Sequence, residues 1–277
     1  MENLTEKFSK VDSEILHPVR AKYYRDKDGN LFLASVQKFS DAKFREEGWE
    51  SREAPKKRPR DDENENEEGN LYANIERATR RAKIHAFDAI MCNHDLDTFC
   101  TFTYSPEEVD DKADYAECYK YLGVWLSNRV QRRGLKYVLV PERTKIGDIH
   151  FHAIMNSSAL KLVQAYGAHS GKPLTHNGKP LFNLQDWKKG FSSCEPISTG
   201  DGDRRAVAKY IFKYMGKQMG QKIGGRYVLT GGDLIGPKYA YGDNETEFFV
   251  IGDESYSRMT KIGGDGAELT YQEWSFI

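Results

Sequence analysis

The sequence predicts an α+β fold, and three observations carry that reading. Runs rich in aromatic and β-branched residues, at 99–104, 137–142 and 149–156, read as strands. They are interleaved with helical spacing of apolar residues near 71–93, 105–134 and 203–219. A charged, low-complexity stretch at 55–70 separates these elements from an N-terminal extension.

The extension, residues 1–54, carries one hairpin signal: Ala21-Lys22-Tyr23-Tyr24, a turn at Asp28-Gly29-Asn30, then Leu31-Phe32-Leu33-Ala34. Residues 55–70 set a basic block from Lys56 to Arg60 against an acidic run ending at Glu68. With almost nothing apolar to bury, they are expected to form a flexible linker. Residues 71–241 form the main domain, and 242–277 an acidic tail. Within the main domain Leu71, Ile75, Ala78 and Ala82 lie at helical spacing, and a strand follows at 99–104. Ser105-Pro106-Glu107-Glu108 has the cap, the proline and the early acids of a helix start, and Gly134 suits the stop. Strands 137–142 and 149–156 flank a short turn at Gly147-Asp148 and so form a hairpin. Centring that turn near Ile146 places Glu142 opposite His150, on the same face. Residues 167–181 read as a surface loop.

At 277 residues the chain is long enough for a sizeable core. No run of apolar residues is long enough to span a bilayer, and residues 1–18 lack the apolar centre of a secretory signal. Cys92, Cys100, Cys118 and Cys194 show no metal-type spacing, and reduced thiols are expected. Gly171-Lys172 is followed by Pro173 and its neighbouring glycines are wrongly spaced for a phosphate-binding loop, so no nucleotide-hydrolysis motif is read. The net charge of −1 hides an asymmetry. Residues 129–240 hold 19 Lys and Arg against 7 Asp and Glu, whereas residues 241–277 hold 2 against 8. A basic middle is what a phosphate-rich partner requires, although uneven charge is also common on soluble surfaces.

Two constellations fall in that basic region. His150 and His152, separated by one residue, share a face of a strand and can close on one metal ion. Glu142 is the expected third ligand, and such a mixed donor set suits Mg²⁺ or Mn²⁺. The plain alternative is two polar side chains on a wet strand face. Tyr210 and Tyr214 stand one turn apart on the helix at 203–219, about 40° apart around its axis. Val207, Ala208, Ile211, Phe212 and Met215 form its apolar stripe, and Lys209, Lys213 and Lys217 a cationic row. Both tyrosines fall on the border, where a hydroxyl can reach a phosphate beside lysines that neutralise its charge. A tyrosine at such a border is also an ordinary half-buried core residue. Thr101 and Thr103 share a strand face and could orient a phosphate. Arg204 and Arg205 open the tyrosine helix, where cations oppose its dipole, and hint at the same partner.

Read together, three segments resemble the HUH endonucleases, in particular the two-tyrosine rolling-circle replication initiators of bacterial plasmids and single-stranded DNA phages. They are Phe99-Cys100-Thr101-Phe102-Thr103-Tyr104, Ile149-His150-Phe151-His152-Ala153, and the run from Ala208 to Lys217 with its repeated Tyr-x-x-Lys. The resemblance implies a five-stranded antiparallel sheet of RRM/ferredoxin-like type, with the histidines on a central strand and the tyrosine helix across it. It implies nicking of one strand at an origin, a 5′-phosphotyrosine intermediate, a free 3′-hydroxyl primer, and later rejoining by the second tyrosine. Tyr210, Tyr214, Lys213 and Lys217 would be catalytic. His150, His152 and Glu142 would hold Mg²⁺ or Mn²⁺, while Thr101, Thr103, Arg204, Arg205 and Lys209 would contact DNA. Expected partners are single-stranded or hairpin origin DNA and the host helicase and polymerase, in the bacterial cytoplasm and away from membranes. A relaxase, a single-strand transposase, or a non-catalytic RRM-like nucleic-acid-binding protein are the alternatives.

Overall fold

The computed structural model describes residues 19–40, 67–197, 201–216, 223–242, 254–262 and 267–275. The chain divides into two compact units, Met1–Asn64 with Pro237–Ile277, and Glu65–Gly236.

In the first unit the expected hairpin is present as β1 (Val19–Arg25) and β2 (Leu31–Ser40). Its turn is fixed by Asp26, whose Oδ1 accepts from the backbone N–H of Asp28 at 2.9 Å and of Asn30 at 2.7 Å. Gly29 there has φ 86°, the left-handed region glycine enters without strain. The C-terminal residues do not form the expected tail. They supply β12 (Lys238–Gly242), β13 (Glu254–Ile262) and β14 (Ala267–Ser275). β14 pairs with β2 along its length and β12 pairs with β1, giving a five-stranded antiparallel sheet in the order β12-β1-β2-β14-β13. Both chain ends thus make one folded unit. Acidic residues that looked like a solvated run by composition alternate with Tyr271 and Trp274 at strand spacing, a pattern that net charge conceals.

The strands of the second unit's main sheet are β3 (Thr98–Phe102), β4 (Tyr137–Arg143), β5 (Ile149–Met155), β6 (Leu162–Gln164), β9 (Phe182–Leu184), β10 (Ser192–Pro196) and β11 (Leu229–Gly231). They form a seven-stranded antiparallel sheet, not a five-stranded one, in the order β11-β4-β5-β3-β10-β9-β6. The two extra strands at one edge, β6 and β9, are three residues each, too short for periodicity to reveal. β7 (Thr175–His176) and β8 (Lys179–Pro180) form a separate small hairpin within the expected loop, turning on Asn177 and Gly178, both at positive φ.

Three helices cover this sheet. α1 (Glu67–Cys92) begins within the expected linker, whose residues 55–66 lie outside the described residues. α2 (Tyr115–Arg133) starts well after Ser105-Pro106. The Ser105 carbonyl accepts from the N–H groups of Glu108 and Val109 in a turn, and Val109 is buried there. The true cap is Asp114, accepting from Ala116 N at 2.8 Å, and Gly134 at φ 64° closes the helix as expected. α3 (Asp201–Gly216) is the tyrosine helix.

Strand alternation divides the core in two. Cys100, Phe102, Leu139, Phe151 and Ala153 point to one face and pack with Leu122, Trp125 and Leu126 of α2. Phe99, Val138, Val140 and Ile154 point to the other and pack with Ala86 and Ile90 of α1 and Ala208, Ile211 and Met215 of α3. Each face hides apolar surface that α2, or α1 with α3, would otherwise leave to water. All four cysteines are free and buried.

Candidate active site

The β4–β5 register pairs Glu142 with His150 and Val140 with His152, the register expected from the turn. On the other side of β5, Thr101 of β3 pairs with His152. Glu142, His150, His152 and Thr101 therefore share the face that α1 and α3 cover. They lie toward the hairpin turn, beyond the apolar rows made by Val138, Ile154 and Phe99. The site begins where that face stops being core.

His152 is only 6 % exposed, and both ring nitrogens are engaged. Nε2 lies 2.6 Å from Oε2 of Glu142, and Nδ1 lies 3.1 Å from the hydroxyl of Thr101. A carboxylate can only accept, so Nε2 donates; in the neutral ring Nδ1 then accepts from Thr101, a tautomer assigned from these partners. His150 is half-buried. Burial first, then the neighbouring His152, holds its pKa below the ordinary histidine value against the opposing pull of Glu142 and Asp148. A neutral imidazole is the form that binds metal.

In kind, two imidazoles and a carboxylate suit Mn²⁺, and Mg²⁺ less closely. Among the described residues, however, no three His, Cys, Asp or Glu side chains are gathered as a metal-binding group. Glu142 is bonded to the very nitrogen of His152 that would bind a metal, so coordination there requires the carboxylate to swing off Nε2.

α3 brings the tyrosines onto this row. Ala208, Ile211 and Met215 are fully buried, which fixes the rotation of the helix and leaves Tyr210 44 % and Tyr214 8 % exposed. The Tyr214 ring stacks on the His152 ring with centroids 3.8 Å apart and planes at 22°. Its hydroxyl donates to the Tyr210 hydroxyl at 2.7 Å. Burial first, then that hydrogen bond and the carboxylates of Glu142 and Glu195, push the Tyr214 hydroxyl above the ordinary phenol range.

Phe99 binds the group together, edge-on to Tyr210 at 5.1 Å and stacked near His152 at 5.8 Å. Sequence reasoning passed over it as a strand former, although it precedes Thr101 by two residues and so shares its face. Glu195 of β10 was also missed. It pairs in register with Phe99, and its Oε2 lies 2.7 Å from Nδ1 of His176 in the small hairpin. No local pattern could have joined Glu195 to His176, because the link depends on a long-range strand pairing.

The remaining expected residues divide. Lys209 and Lys213 are exposed on α3 beside Tyr210, and Arg205 is half-exposed; Lys217 lies outside the described residues. Thr103 donates its hydroxyl to the Phe191 carbonyl at 3.0 Å, tying the end of β3 to the chain leading into β10. Arg204 does not face a nucleic acid. It is 2 % exposed and donates to the carbonyls of Ile90 at 2.6 Å, His94 at 3.1 Å and Asn93. Those carbonyls end α1 without intrahelical partners, and a guanidinium satisfies them while complementing the dipole.

Residues 97–219 match the family model of the replication-associated protein ORF2. The matched segment runs from just before β3 to just beyond α3 and so contains every residue of the cluster. Over that span the chain is similar to replication-associated proteins, a similarity consistent with rolling-circle initiation. No curated protein and no solved structure matches the chain. Among the described residues, no helix is long and apolar enough to cross a membrane.

Proposed function

We propose that this chain initiates rolling-circle replication by nicking one DNA strand through tyrosine attack. The observation that carries the reading is the cluster itself: two tyrosine hydroxyls 2.7 Å apart, beside a histidine held by Thr101 and Glu142. Its match to a replication-associated family supports it.

In this reading the tyrosine oxygen forms a bond to the scissile phosphorus, and the bond from phosphorus to the 3′ oxygen breaks. The tyrosyl proton passes to water, and the departing oxygen takes a proton, with Lys213 placed to supply it. The products are a 5′-phosphotyrosine and a free 3′-hydroxyl. The second tyrosine repeats the transfer to rejoin strands. His150, His152 and Glu142 would hold Mg²⁺ or Mn²⁺, which when bound supplies Lewis-acid polarisation of the scissile phosphate. Thr101 fixes the His152 ring, and the buried Phe99 keeps that ring and both tyrosines in register.

The test is a denaturation-resistant protein–DNA adduct, formed with Mn²⁺ and hairpin-bearing single-stranded oligonucleotides tiled across the encoding replicon. The adduct is expected with the native chain and lost in EDTA. An adduct that survives in the Tyr210→Phe, Tyr214→Phe double variant shows that the nucleophile lies elsewhere. Undiminished DNA binding in EDTA with no cleavage under any condition marks a binding module instead.

A further inference from the structure

α1 presents a feature that the tyrosine chemistry does not use. Its buried side is Thr79, Ala86, Ala89 and Ile90, with Ala78 and Ala82 packed beside them. Turning the helix by about 100° per residue puts Arg77, Arg80 and Arg81 away from that side, where all three are exposed. Glu76 is the one acid among the exposed residues between Asn74 and His85. α1 and α3 pack on the same sheet face through one core, and α3 shows Lys209 and Lys213 outward on either side of Tyr210. The two outer faces form one cationic surface that leads to the tyrosines.

We infer that the arginine face of α1 binds the phosphate backbone of a DNA duplex arm flanking the strand to be cut. This rests on the nicking proposed above. The choice of duplex over single strand follows from what the face offers. Non-specific single-strand binding uses aromatic side chains as stacking platforms, whereas the exposed residues of this face between Asn74 and His85 include no Phe, Tyr or Trp. What remains is guanidinium, suited to bidentate phosphate contacts. Arg77 and Arg81 are separated by about 6 Å along the helix axis, close to two phosphate steps of about 3.4 Å along one strand. An arm held there is continuous with a strand passing Lys209, Tyr210 and Lys213. An arm of this kind is what an extruded origin hairpin provides.

The experiment measures affinity by fluorescence anisotropy across a salt series, using the full chain and two probes. One is a hairpin with a long stem and a single-stranded tail; the other is an unstructured strand of equal phosphate count. The variant is Arg77→Gln, Arg80→Gln, Arg81→Gln, with Lys120→Gln, Arg132→Gln, Arg133→Gln on α2 as a charge-matched control on the opposite side of the sheet. For the hairpin, the slope of log affinity against log salt is expected to fall by about 2 to 3, since each phosphate contact on duplex contributes about 0.9. The unstructured probe and the α2 control should change little. An unchanged slope on the hairpin overturns the inference, as does an equal loss on both probes or an equal loss in the α2 control. If the native chain never forms a tyrosyl adduct, the nicking proposal fails, while the slopes still report whether the α1 face binds duplex.

Discussion

Replacing Arg204 with methionine separates a structural cation from a DNA-binding one. The side chain is 2 % exposed and donates to three carbonyls at the C-terminal end of α1. Methionine fills much the same volume and offers no donor. The bond to Ile90 is fully buried, as is the one to Asn93, whereas the carbonyl of His94 is reached from a partly exposed position. Two acceptors are thus left without their charged partner, each at about 1–3 kcal/mol. The expected loss is about 2–5 kcal/mol, a large share of the roughly 5–15 kcal/mol that holds a domain together. At about 2–4 °C per kcal/mol for a unit of this size, the melting temperature should fall by about 5–15 °C. Urea denaturation followed by circular dichroism reads the first quantity and thermal melting the second. DNA affinity measured well below the melting temperature should keep its native salt slope. A variant with native stability and a salt slope reduced by about one would show that Arg204 contacts phosphate, and the capping argument would fail.

Two further outcomes follow from the same geometry. Thr101→Val removes the hydroxyl at Nδ1 of His152 and keeps a β-branched shape. Stability should change by less than about 1.5 kcal/mol, while the Mn²⁺ concentration giving half-maximal adduct should rise by about 10- to 100-fold, as for other residues that orient a ligand; an unchanged metal requirement would remove Thr101 from the site. Alkaline pH should weaken the fold. Burial, aided by Glu117, Asp114 and other nearby acids, pushes the Cys118 thiol up to about 12, and burial with Tyr119 nearby pushes the Tyr115 hydroxyl up to about 12. Both groups stay protonated in the fold beyond the pH at which an unfolded chain releases its protons, about 8.5 for Cys and about 10 for Tyr. Their contribution is complete below about 8.5 and declines as pH rises toward 12. The urea midpoint should therefore fall as pH is raised from about 8 to about 10, and fall less in Cys118→Ala; a parallel decline in both proteins would exclude the thiol.

What the sequence disclosed was what local periodicity and turn chemistry encode. Gly147-Asp148 sets the hairpin register and, with it, the pairing of Glu142 and His150. The apolar stripe of α3 sets the rotation that leaves Tyr210 outside and Tyr214 nearly buried. Arg204 and Arg205 look alike in sequence and point different ways, because one meets the end of α1, a contact over more than a hundred residues that no window contains. The C-terminal strands were hidden for the same reason: their partner is β2, near the other end of the chain. Ser105-Pro106 has every sign of a helix start, yet the chain turns there to bury Val109, and tertiary packing overrides the local preference.

The contact between Glu142 and His152 poses the sharpest chemical question in the site. A carboxylate 2.6 Å from Nε2 orients the ring but competes with any cation for that nitrogen. An ion entering between them would separate the two groups, because ligand bonds of about 2.0–2.2 Å on either side of a metal cannot be fitted within a single hydrogen-bond distance. The His152 ring is clamped between Thr101 and the stacked Tyr214, so the freer partner is Glu142, near the end of β4. Glu142→Gln keeps the shape and can still bond to the ring, but it removes the charge. If Glu142 is a metal ligand, that variant should require far more Mn²⁺ for adduct formation while melting close to the native temperature. If its role is only to orient His152, the metal requirement should stay near native, and the ring's titration, followed by NMR, should shift instead.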